Sequence, residues 1–120
     1  MKPPSLAVPY SFIYKIIAEK ARELGYAVAL HGSMQTDIDL IAVPWTNDCE
    51  VTPYELAQII AYTCRVASGE DGWWLEAKDG SGKPLREPEL KPHGRLSWAI
   101  PLGAGLVVDL SVMPMVKEKE

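Results

Sequence analysis

Two carboxylates, Asp37 and Asp39, stand at i and i+2 in Thr36-Asp37-Ile38-Asp39-Leu40-Ile41-Ala42-Val43, shortly after the pair Gly32-Ser33. Alternate residues of a strand share a face, so both acids point the same way. Held side by side they repel, and a divalent cation is the common means of keeping both ionised in a folded chain. A third acid, Asp109, interrupts the β-branched run Leu106-Val107-Val108-Asp109-Leu110-Ser111-Val112. A carboxylate buried there without a partner costs on the order of several kcal/mol. If the two runs are neighbouring strands, Asp109 faces Asp37 and Asp39, and the three acids make a site for a divalent cation. The bland alternative for each acid is a solvated turn or strand-edge position.

Other residues fit the same chemistry. Glycine at position 32 lets backbone amides approach a phosphate, and the Ser33 hydroxyl can donate to a phosphoryl oxygen; a plain tight turn is the competing reading. Lys91, His93 and Arg95 alternate along Lys-Pro-His-Gly-Arg, a spacing that on an extended segment sets three donor groups on one side for phosphate. The competing reading is a polar loop entering a strand. His31, beside the turn, either orients a ligand or packs. Of the four tryptophans, Trp73, Trp74 and Trp98 read as core or rim, and Trp45, just past the acidic strand, has some claim to a ligand.

These residues need a scaffold, and the apolar periodicity supplies one. From Pro9 to Leu24, Phe12, Ile13, Ile16, Ile17, Ala21 and Leu24 recur at three- and four-residue intervals, which predicts an amphipathic helix stopped at Gly25. Tyr26–Leu30 and Thr36–Val43 read as strands, the second ended by Pro44. On it the acids share a face with Ile41 and Val43, while Ile38, Leu40 and Ala42 face helices. Thr52-Pro53 opens a second helix, with Leu56, Ile59, Ile60, Thr63 and Cys64 as its stripe and Gly69–Gly72 as its end. Trp73–Ala77 reads as a short strand and Lys78–Pro92 as a long loop, whereas Gly94–Ile100 and Leu106–Met113 form a hairpin through residues 101–105. The expected fold class is α/β (α+β): one domain over residues 1–116, a mixed β-sheet with two main helices, and a disordered tail at 117–120.

With 120 residues, 48% apolar and 23% charged, the chain can bury a core, and no apolar run is long enough for a bilayer. A net charge of −4 weighs against sequence-independent grip on nucleic acid. Cys49 and Cys64 are too few for a disulfide framework. Met1-Lys2-Pro3-Pro4-Ser5 lacks the apolar core of a secretory signal, so a reducing cytoplasmic setting is expected.

Gly32, Ser33, Asp37, Asp39 and Asp109 together resemble the centre of the minimal nucleotidyltransferase domain of the DNA polymerase beta superfamily, over roughly residues 26 to 112. More of the chain is similar to a group of small uncharacterised bacteriophage and prophage proteins: His31-Gly32-Ser33, three residues, Asp-x-Asp-Leu-Ile-Ala-x-Pro-Trp, then Lys91-Pro92-His93-Gly94-Arg95 and an Asp-Leu-Ser-x-Met-Pro ending. The resemblance implies transfer of a nucleoside monophosphate from a nucleoside triphosphate (NTP) to a hydroxyl on a protein, nucleic acid or small molecule. It implies that Asp37 and Asp39 hold two metal ions, Mg2+ or Mn2+, and that Asp109 binds the second while helping to deprotonate the acceptor. A phage-encoded chain would act in the cytoplasm of its bacterial host. Little chain remains for a substrate-binding domain, which leaves that role to a partner or to a second copy in a homodimer. Family members carry a longer stretch, often with an arginine, where this chain has only Met34-Gln35-Thr36. That keeps two alternatives open: a nucleotide- or metal-binding module without turnover, and a phage accessory or interaction protein that retains only the fold.

Overall fold

Ile13, Ile17 and Ala21, at i, i+4 and i+8, lie in the core and fasten the first helix, α1 (Ala7–Glu23), to the rest of the domain. A computed structural model describes residues 7–31, 37–45, 51–70, 87–103 and 105–114. The Gly32-Ser33 turn, Cys49, the Trp73–Ala77 run, residues 78–86 of the expected loop and the 117–120 tail lie outside the described residues. The buried stripe of α1 is narrower than its periodicity suggests, because Phe12 is 64% exposed. One residue is 100° of helix rotation, and α1 packs mainly against β1 (Tyr26–His31) and the second helix, α2 (Pro53–Ala67). Gly25, at φ +89°, ends α1 as expected, its amide donating to the Arg22 carbonyl.

Helix α2 has well-formed ends. Thr52 accepts at its hydroxyl from the Glu55 amide (3.2 Å), and the Glu55 carboxylate accepts from the Thr52 amide (3.1 Å). At the other end Gly69 takes φ +82°, the Gly69 amide donates to Val66 and the Glu70 amide to Arg65, satisfying carbonyls that the helix leaves open. Leu56, Ala57, Ile60, Ala61 and Cys64 are fully buried, whereas Ile59 and Thr63 are only half-buried, and the Thr63 hydroxyl donates back to the Ile59 carbonyl.

Five strands form one mixed sheet: β1, β2 (Asp37–Pro44), β3 (Glu89–Leu90), β4 (Leu96–Gly103) and β5 (Leu106–Val112), in the order β1-β2-β5-β4-β3. Three pairings are antiparallel and one, β2 with β5, is parallel. Both helices lie on one face, over Ile38, Leu40 and Ala42 of β2, Val108, Leu110 and Val112 of β5, and Trp98 and Ile100 of β4, all buried. Each fully buried Ile, Leu or Val side chain contributes about 1.5–3 kcal/mol. Tyr54 meets Trp98 edge to face, ring centres 6.0 Å apart. The opposite face carries the acids, and exposed Ala27, Ala29, Val43 and Ala99 lie on it, uncovered by any described element.

The second half of the chain departs from its expected boundaries in several places. Gly94 and Arg95, expected to open a strand, lie in and just after the 3-10 turn Pro92–Gly94, and the strand begins at Leu96. Glu89 and Leu90, expected in a loop, pair with Ser97 and Leu96 as the edge strand β3. Pro101, expected to begin the turn, stays in β4, which proline tolerates where no third strand needs its missing N–H. Its carbonyl accepts from the buried Arg65 guanidinium of α2, tying that helix to the sheet. Gly103, at φ +84°, closes the strand, and the Glu70 carboxylate occupies the space a Cβ would take there.

Two predictions come from α2. Thr52→Ala should lower stability by about 1 kcal/mol in urea titration at neutral pH. Its effect should shrink in acid: the Thr52 backbone N–H, with the hydroxyl second, holds Glu55 below its ordinary 4.5, so that contribution is present above 4.5 and lost as pH falls through the lowered value. Burial pushes the Cys64 thiol from 9.0 up to about 12. The folded state then holds this proton more tightly than the unfolded chain, so the Cys64 contribution to stability should be flat below about pH 9 and decline between pH 9 and 12. Mass spectrometry after brief thiol alkylation of native protein at pH 8 should find Cys64 unmodified.

Candidate functional site

The acid face is built by strand alternation and by one register. In the parallel pairing of β2 with β5, Asp39 is the Cα partner of Asp109 and Asp37 of Val107. The condition set by the sequence, that the two acidic runs be neighbours, is therefore met. Asp39 and Asp109 stand abreast on strands about 4.8 Å apart, and Asp37 follows on the same face about 7 Å further along β2. All three are half-buried. Their strand neighbours Ile38, Leu40, Val108 and Leu110 are locked into the core on the other face, so a one-residue slip would bury the acids and expose the apolar side chains.

Asp109 is held by a residue that the sequence reading passed over. Ser97 of β4, only 7% exposed, donates its hydroxyl to Asp109 Oδ1 at 3.0 Å. Ser97 pairs with Ser111 across the β4–β5 ladder, and Ser111 is equally buried on the acid face. The available signal was a polar residue inside Leu96-Ser97-Trp98-Ala99-Ile100, in phase with the acid of the next strand. The carboxylates of Asp37 and Asp39, by contrast, make no hydrogen bond or ion pair with any described residue. Among the described residues the site thus contains two half-buried carboxylates with no side-chain partner and a third with one oxygen fixed.

The acids form a row and do not enclose a point: among the described residues no three His, Cys, Asp or Glu groups cluster closely enough to hold one ion. A row still fits Mg2+ or Mn2+, since magnesium commonly takes one or two carboxylates and completes its shell with water and substrate phosphates. Asp39 and Asp109 are the pair placed for this, with Asp37 able to reach a second ion or a bound phosphate's cation. His31 is the register partner of Asp39 on β1, which brings its backbone beside the acids.

Lys91, His93 and Arg95 are arranged differently. The segment is not extended: Pro92–Gly94 forms a 3-10 turn and His93 takes φ +67°, which breaks the alternation. Lys91 pairs with Glu89 at 3.2 Å, Arg95 Nε donates to the Pro92 carbonyl, and His93 is exposed. Arg95 precedes β4 at the end away from Asp37; from the Leu96–Val112 register it stands about 13 Å along the sheet from Asp109. The structure does not bring these three residues to the acid row. Trp45 is 61% exposed at the far end of β2 from Asp37.

Comparison with family models, with curated proteins and with solved structures found no match for the chain. No helix among the described residues is long and apolar enough to cross a membrane.

Urea denaturation in a chelator at neutral pH gives a direct reading of this electrostatics. Ser97→Ala should destabilise by about 1–2 kcal/mol, as it strips a shielded donor from a charged acceptor. Asp39→Asn should leave stability unchanged or raise it, because it removes a like charge abreast of Asp109. A marked loss in Asp39→Asn would mean that Asp39 has a structural partner.

Proposed function

We propose that the protein binds a nucleoside triphosphate with Mg2+ or Mn2+ at the Asp37, Asp39 and Asp109 row and transfers the nucleoside monophosphate to an acceptor hydroxyl. The observation that carries this reading is the register of Asp39 with Asp109, which sets the two carboxylates abreast on a sheet face that no described element covers. The like charges give that face a standing affinity for cations. When bound, the metal ions would screen the triphosphate and the charge that builds on the phosphoryl oxygens. Asp39 and Asp37 act as ligands and orienters. Asp109 offers its second oxygen, the one not bonded to Ser97, to take the acceptor's proton. The acceptor oxygen then forms its bond to the α-phosphorus as the bond to pyrophosphate breaks. Gly32 and Ser33 lie between His31 and Asp37 in sequence and would contribute amides and a hydroxyl to the phosphates. The resemblance to the minimal nucleotidyltransferase domain and to phage proteins supports the same reading, in a bacterial cytoplasm, with the acceptor presented by a partner or second copy.

A second reading, a binding module without turnover, is favoured by the disposition of the cations. Lys91 and Arg95 are engaged with Glu89 and with the Pro92 carbonyl, away from the acids, so the candidate triphosphate clamp is not assembled there.

Calorimetric titration of each ribonucleoside triphosphate, with Mg2+ or Mn2+, into the protein and its Asp37→Asn, Asp39→Asn double variant separates these readings. Metal-dependent binding that the variant loses is expected. Pyrophosphate release in a screen of protein, nucleic-acid and small hydroxyl acceptors would establish transfer, and binding without release would favour the module. No heat up to millimolar nucleotide would sink both and leave the fold-only accessory role.

A further inference from the structure

A second recess lies at the opposite end of β2 from Asp37. It is a half-open cleft of about 370 Å³ between α1 and the edge strand β1, lined by Tyr14, Ala18, Arg22, Tyr26, Ala27, Val28 and Trp45. Its size is within the usual range of small-molecule sites. Tyr14, Ala18 and Arg22 recur every four residues on one face of α1, and the small Ala18 and Ala27 leave the space that makes the cleft. The Tyr14 hydroxyl donates to the Val28 carbonyl at 3.2 Å, and the fully buried Tyr26 donates to the Val51 carbonyl at 2.7 Å. Two of the walls are therefore fixed.

The remaining two lining features are unspent. The Trp45 amide donates to the Gly25 carbonyl at 3.0 Å, which anchors its backbone, yet the residue is 61% exposed. An indole left in water on an anchored support is a surface that gains by being covered. Among the described lining residues Arg22 is the only charged one, and its guanidinium makes no hydrogen bond or ion pair with a described residue. A guanidinium that no described carboxylate engages, lining the same cleft as an exposed aromatic residue, is complementary to a planar group that carries negative charge.

We propose that this cleft binds a small aromatic anion, a planar ring bearing a carboxylate or phosphate, with the ring against Trp45 and the small alanine floor and the anionic group on Arg22. Trp45 stands eight residues from Asp37, just past the end of β2 and about 25 Å away, so the site is separate from the acid row and independent of its reading.

The test is a 1H–15N correlation titration of the full chain with indole-3-acetate, phenyl phosphate and the neutral indole-3-acetamide. Saturable shifts of the Trp45 indole N–H and of the Tyr26–Val28 amides are expected with both anions. Arg22→Gln should weaken the anions about tenfold, the loss of one charge-assisted contact, and leave the neutral amide unchanged. Trp45→Ala should weaken all three ligands. Both side chains are exposed, so both variants should fold, which thermal denaturation verifies. Absence of shifts up to millimolar ligand, or anion binding undiminished in Arg22→Gln, overturns the proposal.

Discussion

The parallel pairing of β2 with β5 is the constraint on which the molecule rests. It joins the amino-terminal hairpin to the carboxy-terminal one and places β2 and β5 side by side inside the sheet. Its register puts Ile38 beside Val108 and Leu40 beside Leu110 on the helix side. The same register necessarily puts Asp39 beside Asp109 on the other side, since strand side chains alternate. Core formation and the convergence of the acids are therefore one event: hydrophobic burial on one face drives together charges that would otherwise separate.

The chain manages that cost asymmetrically. The Ser97 hydroxyl, shielded in β4, offsets part of the charge on Asp109 by donating to it, while Asp37 and Asp39 receive no such help from the described residues. A fold selected only for stability would have little reason to keep them. Elsewhere polar groups are used economically: Arg65 is buried but bonded to the Pro101 carbonyl, and the α2 ends are satisfied by Thr52 at one terminus and by the Gly69 turn at the other.

Much of this was legible in the sequence because it depends on period and on single decisive residues. The alternation in Ile38-Asp39-Leu40 set the faces of β2, Thr52-Pro53 marked the start of α2, and Gly25 marked the end of α1. What was not legible depends on partners far away in the chain. Nothing local says that Phe12 lies outside the buried stripe, that Glu89 and Leu90 find an edge to pair with, or that His93 turns the backbone so that Lys91 and Arg95 leave a common line. The role of Ser97 was hidden for the same reason, since a serine in a strand has meaning only once its cross-strand neighbourhood is known.

The separation of Asp39 and Asp109 by seventy residues of chain also bears on how the domain comes into being. β1 and β2 can pair as soon as both are made, and α1 can dock on β1, but β5 is the last of the described strands and must slot between β2 and β4. Closing that large loop is slow compared with forming a local hairpin. On a ribosome the first part of the chain would wait with β2 as an open edge, lined by Ile38, Leu40 and Ala42 on the face that α-helices will cover. During that interval Asp37 and Asp39 are a safeguard of a different kind: charges on a bare strand edge discourage it from pairing with the wrong chain before its proper neighbour arrives.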